Sequence, residues 1–397
     1  MNLIHPNAPA SSRRLTLTVA ALALALLGAM AMAGINSTPA QAKLSKKAKA
    51  AKKKGLVSTM TRNLYLGADL SPAINATSTD DFINKNGKIL RDVDDNNFKV
   101  RAKGLAGEIK GKSPDLVGLQ EVALWRTGPV DLNAPLTGNF TASEVHVDYL
   151  KELMAQLNKG EKRYKVVKVQ KEFDFEAPAD YNNVPGDGNV AGINSNGEIN
   201  GRLTMQDVVL AKVGAGIKVS NLKSGNFDTI YSANISGVNV DVDRGYISFD
   251  AKVRKSQKFR FINTHLEAFG EPEIRRDQAE ELLAGPLKSG KLPAVLVGDL
   301  NSDDDTVAGP DRLAYNALKK GGMVERGFSG QPTFGVPNGI IVAGNGKKSN
   351  FTQFIDHVMT NKPKRVKQVK ASVTGLKPER GYWNSDHAGV FAQLRIR

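Results

Sequence analysis

Pro293-Ala294-Val295-Leu296-Val297-Gly298-Asp299-Leu300-Asn301 is the stretch that decides the fold. Its unbroken apolar run, bounded by Pro293 and Gly298, reads as a strand buried on both faces. A carboxylate and an amide stand at its C-terminal end. If strand geometry persists, Asp299 and Asn301 point the same way, toward whatever lies at the strand mouth. The acidic run that follows, Ser302-Asp303-Asp304-Asp305, reads as a solvated loop.

The same grammar recurs along the chain. Leu56–Asn63 reads as a first strand ending in an amide. The Asp115–Gln120 strand is followed by Glu121, and Lys258–Thr264 by His265. Phe354–Thr360 carries Asp356 near its start, and Ser385-Asp386-His387 precedes Ala388–Ile396. Further strands are expected at Tyr164–Gln170, Asp207–Lys212, Thr229–Ile235 and Gly245–Val253. Helical spacing marks Asn97–Lys110, Ser143–Leu157, Glu271–Leu287 and Arg312–Lys319. Phe173–Gly201, rich in Asn, Gly, Asp and Pro, reads as a long loop. Many short strands with a few helices between them imply two packed sheets flanked by helices, with nothing dividing residues 56–397 into two domains.

Composition narrows the chemistry. Of the +15 formal charge, nine positive charges fall in residues 1–55 with no acid among them, leaving +6 for residues 56–397. The body is only mildly basic, so the global charge overstates a case for nucleic-acid binding. The absence of cysteine excludes disulfides, thiolate nucleophiles and Cys-ligated zinc. Arg13-Arg14, the apolar run Leu15–Ala33 and the small-x-small site Ala40-Gln41-Ala42 read as an export signal over residues 1–42, which implies secretion. Residues 43–55 form a Lys/Ala-rich tail, solvated or able to meet an anionic surface.

Each polar strand end has an ordinary alternative reading. A lone Asn there is a turn residue, and a lone His is structural. A carboxylate such as Glu121 at a buried strand mouth is costly unless it is paired or binds a cation. Of the five histidines, His265, His357 and His387 fall in motif-like segments, whereas His146 is expected on a helix surface. Asp356 is the natural partner of His387, because an aspartate fixes an imidazole's tautomer and raises its basicity. His357, adjacent to Asp356 in a strand, should face away. No Gly-x-Ser-x-Gly elbow supports a serine hydrolase.

Taken in order, Asn63, Gln120-Glu121, Thr264-His265, Gly298-Asp299-Leu300-Asn301, Ile355-Asp356 and Ser385-Asp386-His387 resemble the endonuclease/exonuclease/phosphatase superfamily, in a secreted bacterial branch. The resemblance covers about residues 56–397. It implies a four-layer α/β sandwich of two mostly antiparallel sheets flanked by helices. It also implies hydrolysis of phosphoesters with Mg²⁺, or Mn²⁺ or Ca²⁺ in its place. Glu121 would be a metal ligand with Asp386. His387 held by Asp356, together with Asp299, would activate water, and His265 and Asn301 would bind phosphoryl oxygens. Asn63 and Tyr246 would line the substrate site. Tyr65 stands where nuclease branches often have an aspartate, with Asp69 as a nearby substitute. A sphingomyelinase or phospholipase C-like activity on a phospholipid head group therefore stands beside a nuclease, with Tyr382-Trp383 as a lipid-facing pair. The remaining alternative is a non-catalytic polyanion-binding protein that keeps the fold. A monomer is expected.

Overall fold

The computed structural model describes residues 55–182, 198–235, 238–303, 311–327, 330–335, 339–342 and 351–397. Residues 1–54, with the expected export signal and most of the basic tail, lie outside the described residues. So do Asp304 and Asp305.

In chain order the first sheet region contains β1 (Leu56–Asn63), α1 (Ser71–Ile74), α2 (Thr79–Asp95), α3 (Phe98–Lys112), β2 (Leu116–Gln120), β3 (Leu124–Pro129), α4 (Ala134–Thr137), β4 (Glu144–Asp148), α5 (Tyr149–Leu157), β5 (Tyr164–Asp180) and β6 (Glu198–Lys212). Next come β7 (Ile217–Asn226), β8 (Tyr231–Ile235), β9 (Val238–Val242), β10 (Gly245–Val253), β11 (Phe259–His265), α6 (Pro272–Ala284), β12 (Ala294–Asp299), α7 (Leu313–Lys320), β13 (Val324–Glu325), β14 (Asp356–Thr360), β15 (Val366–Thr374) and β16 (Gly389–Ile396).

The strands form two large sheets. One runs β15-β16-β1-β2-β6-β3-β4, with β5 also on β6; the other runs β13-β14-β12-β11-β10-β7; β8 and β9 form a separate hairpin. Only β1–β2 and β11–β12 are parallel among the described pairings. Three apolar clusters show the layering. One, including Ile89, Leu105 and Leu153, lies under the helices of the first sheet. A second, including Phe249, Phe261 and Val297, lies between the sheets, and a third lies under α6 and α7. This is the expected four-layer α/β sandwich, each sheet burying one face on its partner and one on helices.

Local chemistry explains the departures from the sequence reading. Glu144–Asp148, expected as the start of a helix, is a strand paired with β3, and Asp148 then caps α5 by accepting from Lys151 N at 2.9 Å. His146 is thus on a strand, with Nε2 2.6 Å from Asp94. Phe173–Asp180 and Glu198–Gly201, expected as loop, are the continuous β5–β6 ladder; only residues 183–197 lie outside the described residues. Its polar residues find partners there, as Arg202 does with Asp174 at 2.6 Å. The helix α2 went unread, although Ser78 caps it by accepting from Asp81 N at 3.1 Å. Asp303, expected to be solvated, is buried, and Trp383 packs on Phe351 at 5.5 Å rather than facing outward.

Register then sets the site. The parallel pair β1–β2 puts Asn63 beside Gln120, and β11–β12 puts His265 beside Asp299. Antiparallel β14 starts opposite, with Asp356 across from Asp299. β16 runs antiparallel to β1, pairing Val390 with Thr61, so His387 arrives just beyond the end of β1. The mouths of six strands therefore share one edge. At that edge the sheets approach so closely that a Cβ on Gly118 would lie 2.0 Å from Asn263 Oδ1.

Candidate active site

Asp299 stands at the centre. Its Oδ1 accepts from Asn301 N at 2.9 Å and its Oδ2 from Asn63 Nδ2 at 3.0 Å. His265 Nε2 and His387 Nε2 each lie 3.5 Å from Oδ2. Burial pushes the Asp299 carboxyl up to about 7, against the pull of His387. A carboxylate held there is suited to take a proton near neutrality.

His387 is anchored from behind by Asp356, with Nδ1 to Oδ2 at 2.9 Å. Burial opposes its charge, but Asp356, Asp299 and Asp386 together push it up to about 10, so it is an imidazolium at neutral pH. His265 is the opposite case. Burial, Arg244 and His387 all push it well below its usual value. Arg244 Nη1 lies 3.0 Å from His265 Nδ1 and can only donate. Arg244 therefore favours the tautomer with the His265 proton on Nε2, against the Asn301 Nδ2 donor that faces that nitrogen at 3.1 Å.

Glu121 follows β2 with a left-handed φ of 52°. Asn63 Nδ2 donates to its Oε1 at 2.8 Å and Leu66 N to its Oε2 at 2.8 Å. Tyr65 and Asn301 also have positive φ, 58° and 46°. Three strained non-glycine residues thus cluster at one edge, a pattern associated with functional sites. Asn301 does face the site, but through this turn rather than by strand alternation. Its Nδ2 donates to Leu266 O at 2.9 Å and lies 3.1 Å from His265 Nε2.

Asp386 completes the ring. Burial and the negative field of Glu121 and Asp356 push its carboxyl up to about 6, against His387 and Arg101. Its loop is fixed by Ser385 Oγ donating to Asn63 O at 2.9 Å. Arg62 donates to His387 O at 2.7 Å and pairs at 3.0 Å with Glu108, whose side chain is 8% exposed. Breaking such a buried pair costs about 3–5 kcal/mol.

The donor set fits a divalent cation. Glu121 and Asp299 bring carboxylate oxygens within 4.8 Å of each other, whereas the His387 imidazolium has no lone pair to offer. The carboxylates of Glu121 and Asp386 face the same cavity, and the charge of Glu121 helps to raise the Asp386 carboxyl. Oxygen donors of this kind suit a hard ion.

Eight of the nine sequence candidates meet here: Asn63, Glu121, His265, Asp299, Asn301, Asp356, Asp386 and His387. Tyr246 does not. Strand alternation turns it to the helix-covered face, where its ring lies 6.0 Å from Phe227. Its neighbour Arg244 is the residue of that segment that reaches the site, paired with buried Glu267 at 3.2 Å. Asp69 instead accepts from Ser71 N at 2.9 Å and begins α1. His357 faces away as expected, with Glu325 2.8 Å from Nδ1. Arg101 was missed: from α3 it donates to Leu64 O at 2.7 Å and Asn384 O at 3.1 Å, tying the Asn63 and Asp386 loops together. Its signal, a cation on the apolar stripe of a helix, was legible.

A site of this kind, with acidic metal donors beside a buried base and an imidazolium, belongs to enzymes that hydrolyse phosphoester bonds. The endonuclease/exonuclease/phosphatase family model matches residues 86–387, and the chain belongs to that family. Among solved structures, a family protein from Bacteroides thetaiotaomicron is 16% identical with a TM-score of 0.49, covering 87% of this chain and 99% of that one. A mannosyl-6-phosphatase from the same organism is 15% identical (TM-score 0.47; 85% and 99% covered). D. rerio TDP2, complexed with single-strand DNA product, is 14% identical (TM-score 0.45; 85% and 98% covered). No curated protein matches. Family members generally use a divalent metal, and the chain is a phosphoester hydrolase.

Proposed function

We propose that this is a secreted Mg²⁺-dependent phosphoesterase in which Asp299 is the base for the attacking water. The observation that carries the reading is Asp299 held between His265 and His387, each 3.5 Å from Oδ2. Glu121 and Asp386 would hold the metal, with Mn²⁺ or Ca²⁺ as substitutes. When bound, the ion would neutralise phosphate charge in a water-poor site.

The chain's own groups divide the remaining work. Asp299 accepts the water proton, and Asn63 and Asn301 N fix its orientation. The His387 imidazolium, restrained by Asp356, balances negative charge that grows on the phosphoryl oxygens. The His265 Nε2–H and the Asn301 amide donate to those oxygens, with Arg244 favouring that His265 tautomer. Phe334, 4.6 Å from the His387 ring, covers one side of the imidazole.

Bis-(p-nitrophenyl) phosphate hydrolysis with Mg²⁺ tests the reading. Asp299→Ala and His387→Ala should each abolish turnover while the circular dichroism spectrum stays native. Chelator should silence the wild type. Near-full activity in either variant would sink the mechanism. The secretion reading rests on Arg13-Arg14, the Leu15–Ala33 run and the Ala40-Gln41-Ala42 site. N-terminal sequencing of protein recovered from culture medium, starting near Lys43, is the expected result. The basic tail would then lead a monomeric mature chain and contact anionic surfaces.

A further inference from the structure

Behind the polar edge lies a cavity of about 620 Å³. It opens beside Glu121, Asn301, Asp386 and His387, then runs back between α1–α2, the β5–β6 ladder and the β8–β9 hairpin. Its inner wall is hydrocarbon: Ala73, Phe82, Ile89, Ala177, Leu203 and Val240 all line it. Each is no more than 8% exposed, so bulk solvent scarcely reaches this wall. Protein interiors are close-packed, with few voids larger than a water molecule. An apolar space of this size, continuous with a catalytic site, falls in the range of roughly 300–1,000 Å³ that ligand pockets occupy.

Charge decides between occupants. Among the described lining residues, the cationic groups are Arg244 and His387, both at the catalytic end. Arg244 is paired with Glu267 and His387 with Asp356. A nucleic-acid strand needs a row of cations along its backbone. This wall offers none beyond the reacting phosphate. Apolar walls behind one phosphate site fit a substrate with one polar head and one apolar tail.

We infer that the cavity seats a hydrocarbon chain attached to the phosphoester, so the substrate class is an amphiphilic phosphoester and not a nucleic-acid strand. This rests on the hydrolase reading above. Val240 and Ala233 of the hairpin close the chain's path on one side, and Ala73 and Phe82 close it on the other.

The test is a series of alkyl p-nitrophenyl phosphodiesters with methyl, butyl, octyl and dodecyl chains. Each is held below its micelle concentration and assayed with Mg²⁺. Water adds at phosphorus, the bond to p-nitrophenolate breaks, and the alkyl phosphate remains. kcat/KM should rise about fourfold per buried methylene, then level off once the cavity is full. Ala177→Phe should bring the plateau to shorter chains, and Leu203→Ala should move it to longer ones. Turnover of all four esters at one rate would overturn the cavity assignment while leaving the hydrolase reading intact. Faster turnover of a single-stranded DNA oligonucleotide than of the dodecyl ester would also overturn it. Failure of every ester and of the DNA would overturn the hydrolase reading and this inference together.

Discussion

The two sheets bring different chemistry to the common edge. The first contributes Asn63, Glu121, Asp386 and His387, with both proposed metal ligands among them. The second contributes His265, Asp299, Asn301 and Asp356, with the proposed base and the groups that would steer it. Neither half forms the site alone, because several of its hydrogen bonds cross between the sheets. His387 leans on Asp356 at 2.9 Å and Asn63 on Asp299 at 3.0 Å. Below them, Gln120 Nε2 donates to Asn263 Oδ1 at 2.7 Å, and Asn263 Nδ2 to Asp207 Oδ2 at 3.2 Å. The catalytic edge is thus a product of sheet packing, and the two halves should fail differently.

The largest effect is expected in the second-sheet half. Asp299→Asn keeps the shape but removes the base, and kcat should fall by about 10⁴-fold, the upper end for proton transfer by a positioned group. Raising Mg²⁺ should not restore it. Glu121→Gln, in the first-sheet half, should cost roughly 10²-fold at low Mg²⁺ through weaker metal binding, of the kind seen when a metal site is disturbed. Excess Mg²⁺ should recover much of that loss. If both variants respond alike in a metal titration, the division of labour between the sheets is wrong. Asp356→Asn should cost about 10-fold, because it removes the largest influence favouring the charged form of His387. The alkaline limb of the pH–rate profile should move to lower pH.

The polar half of this picture was legible in the sequence, because each functional residue ends or starts a buried strand. Asn63, Glu121, His265, Asp299, Asp356 and His387 announced themselves through Gly, Pro and the change from apolar to polar. Tyr246 was misplaced because period-two alternation was not carried through from Gly245, which left Arg244 overlooked. The apolar half was not legible. Its walls come from β5–β6, where Asn and Gly in and around the 183–197 segment masked a long ladder. They also come from α2, whose Phe82, Ile83, Ile89, Leu90 and Val93 form a helical stripe that can be read only once Ser78 is taken as a cap. A cavity is a property of what packing leaves unfilled, and no single residue type announces it.

Two smaller effects probe the seam between the sheets. Asn263→Leu would strand Gln120 Nε2 and Asp207 Oδ2 without a partner. Unfolding free energy should fall by about 3 kcal/mol, the upper end for buried unpaired groups. A denaturation midpoint equal to wild type would show that the network is incidental to sheet packing.

Glu172 makes the last and smallest case, and its sign is informative. It is 1% exposed, and neither carboxylate oxygen has a hydrogen-bond partner among the described residues. Burial, then the neighbouring Asp207, push its carboxyl well above the ordinary value of 4.5, and Asp243 adds to this while Arg244 opposes it. Burial also raises Asp207. A carboxyl raised on folding holds its proton in the native state after the unfolded chain has released it. Its favourable contribution is therefore complete below about pH 4.5 and is lost as the pH climbs through the raised folded value. Glu172→Gln removes the ionisation, so it should leave stability at pH 5 nearly unchanged and raise it at pH 8 by about 1 kcal/mol. Arg244 keeps Glu267 as its ion-pair partner, so turnover should be affected far less than in Asp299→Asn. If Glu172→Gln instead destabilises at pH 8, Glu172 is ionised and serves Arg244 as a second counter-charge. The seam would then hold a charged network rather than a protonated one.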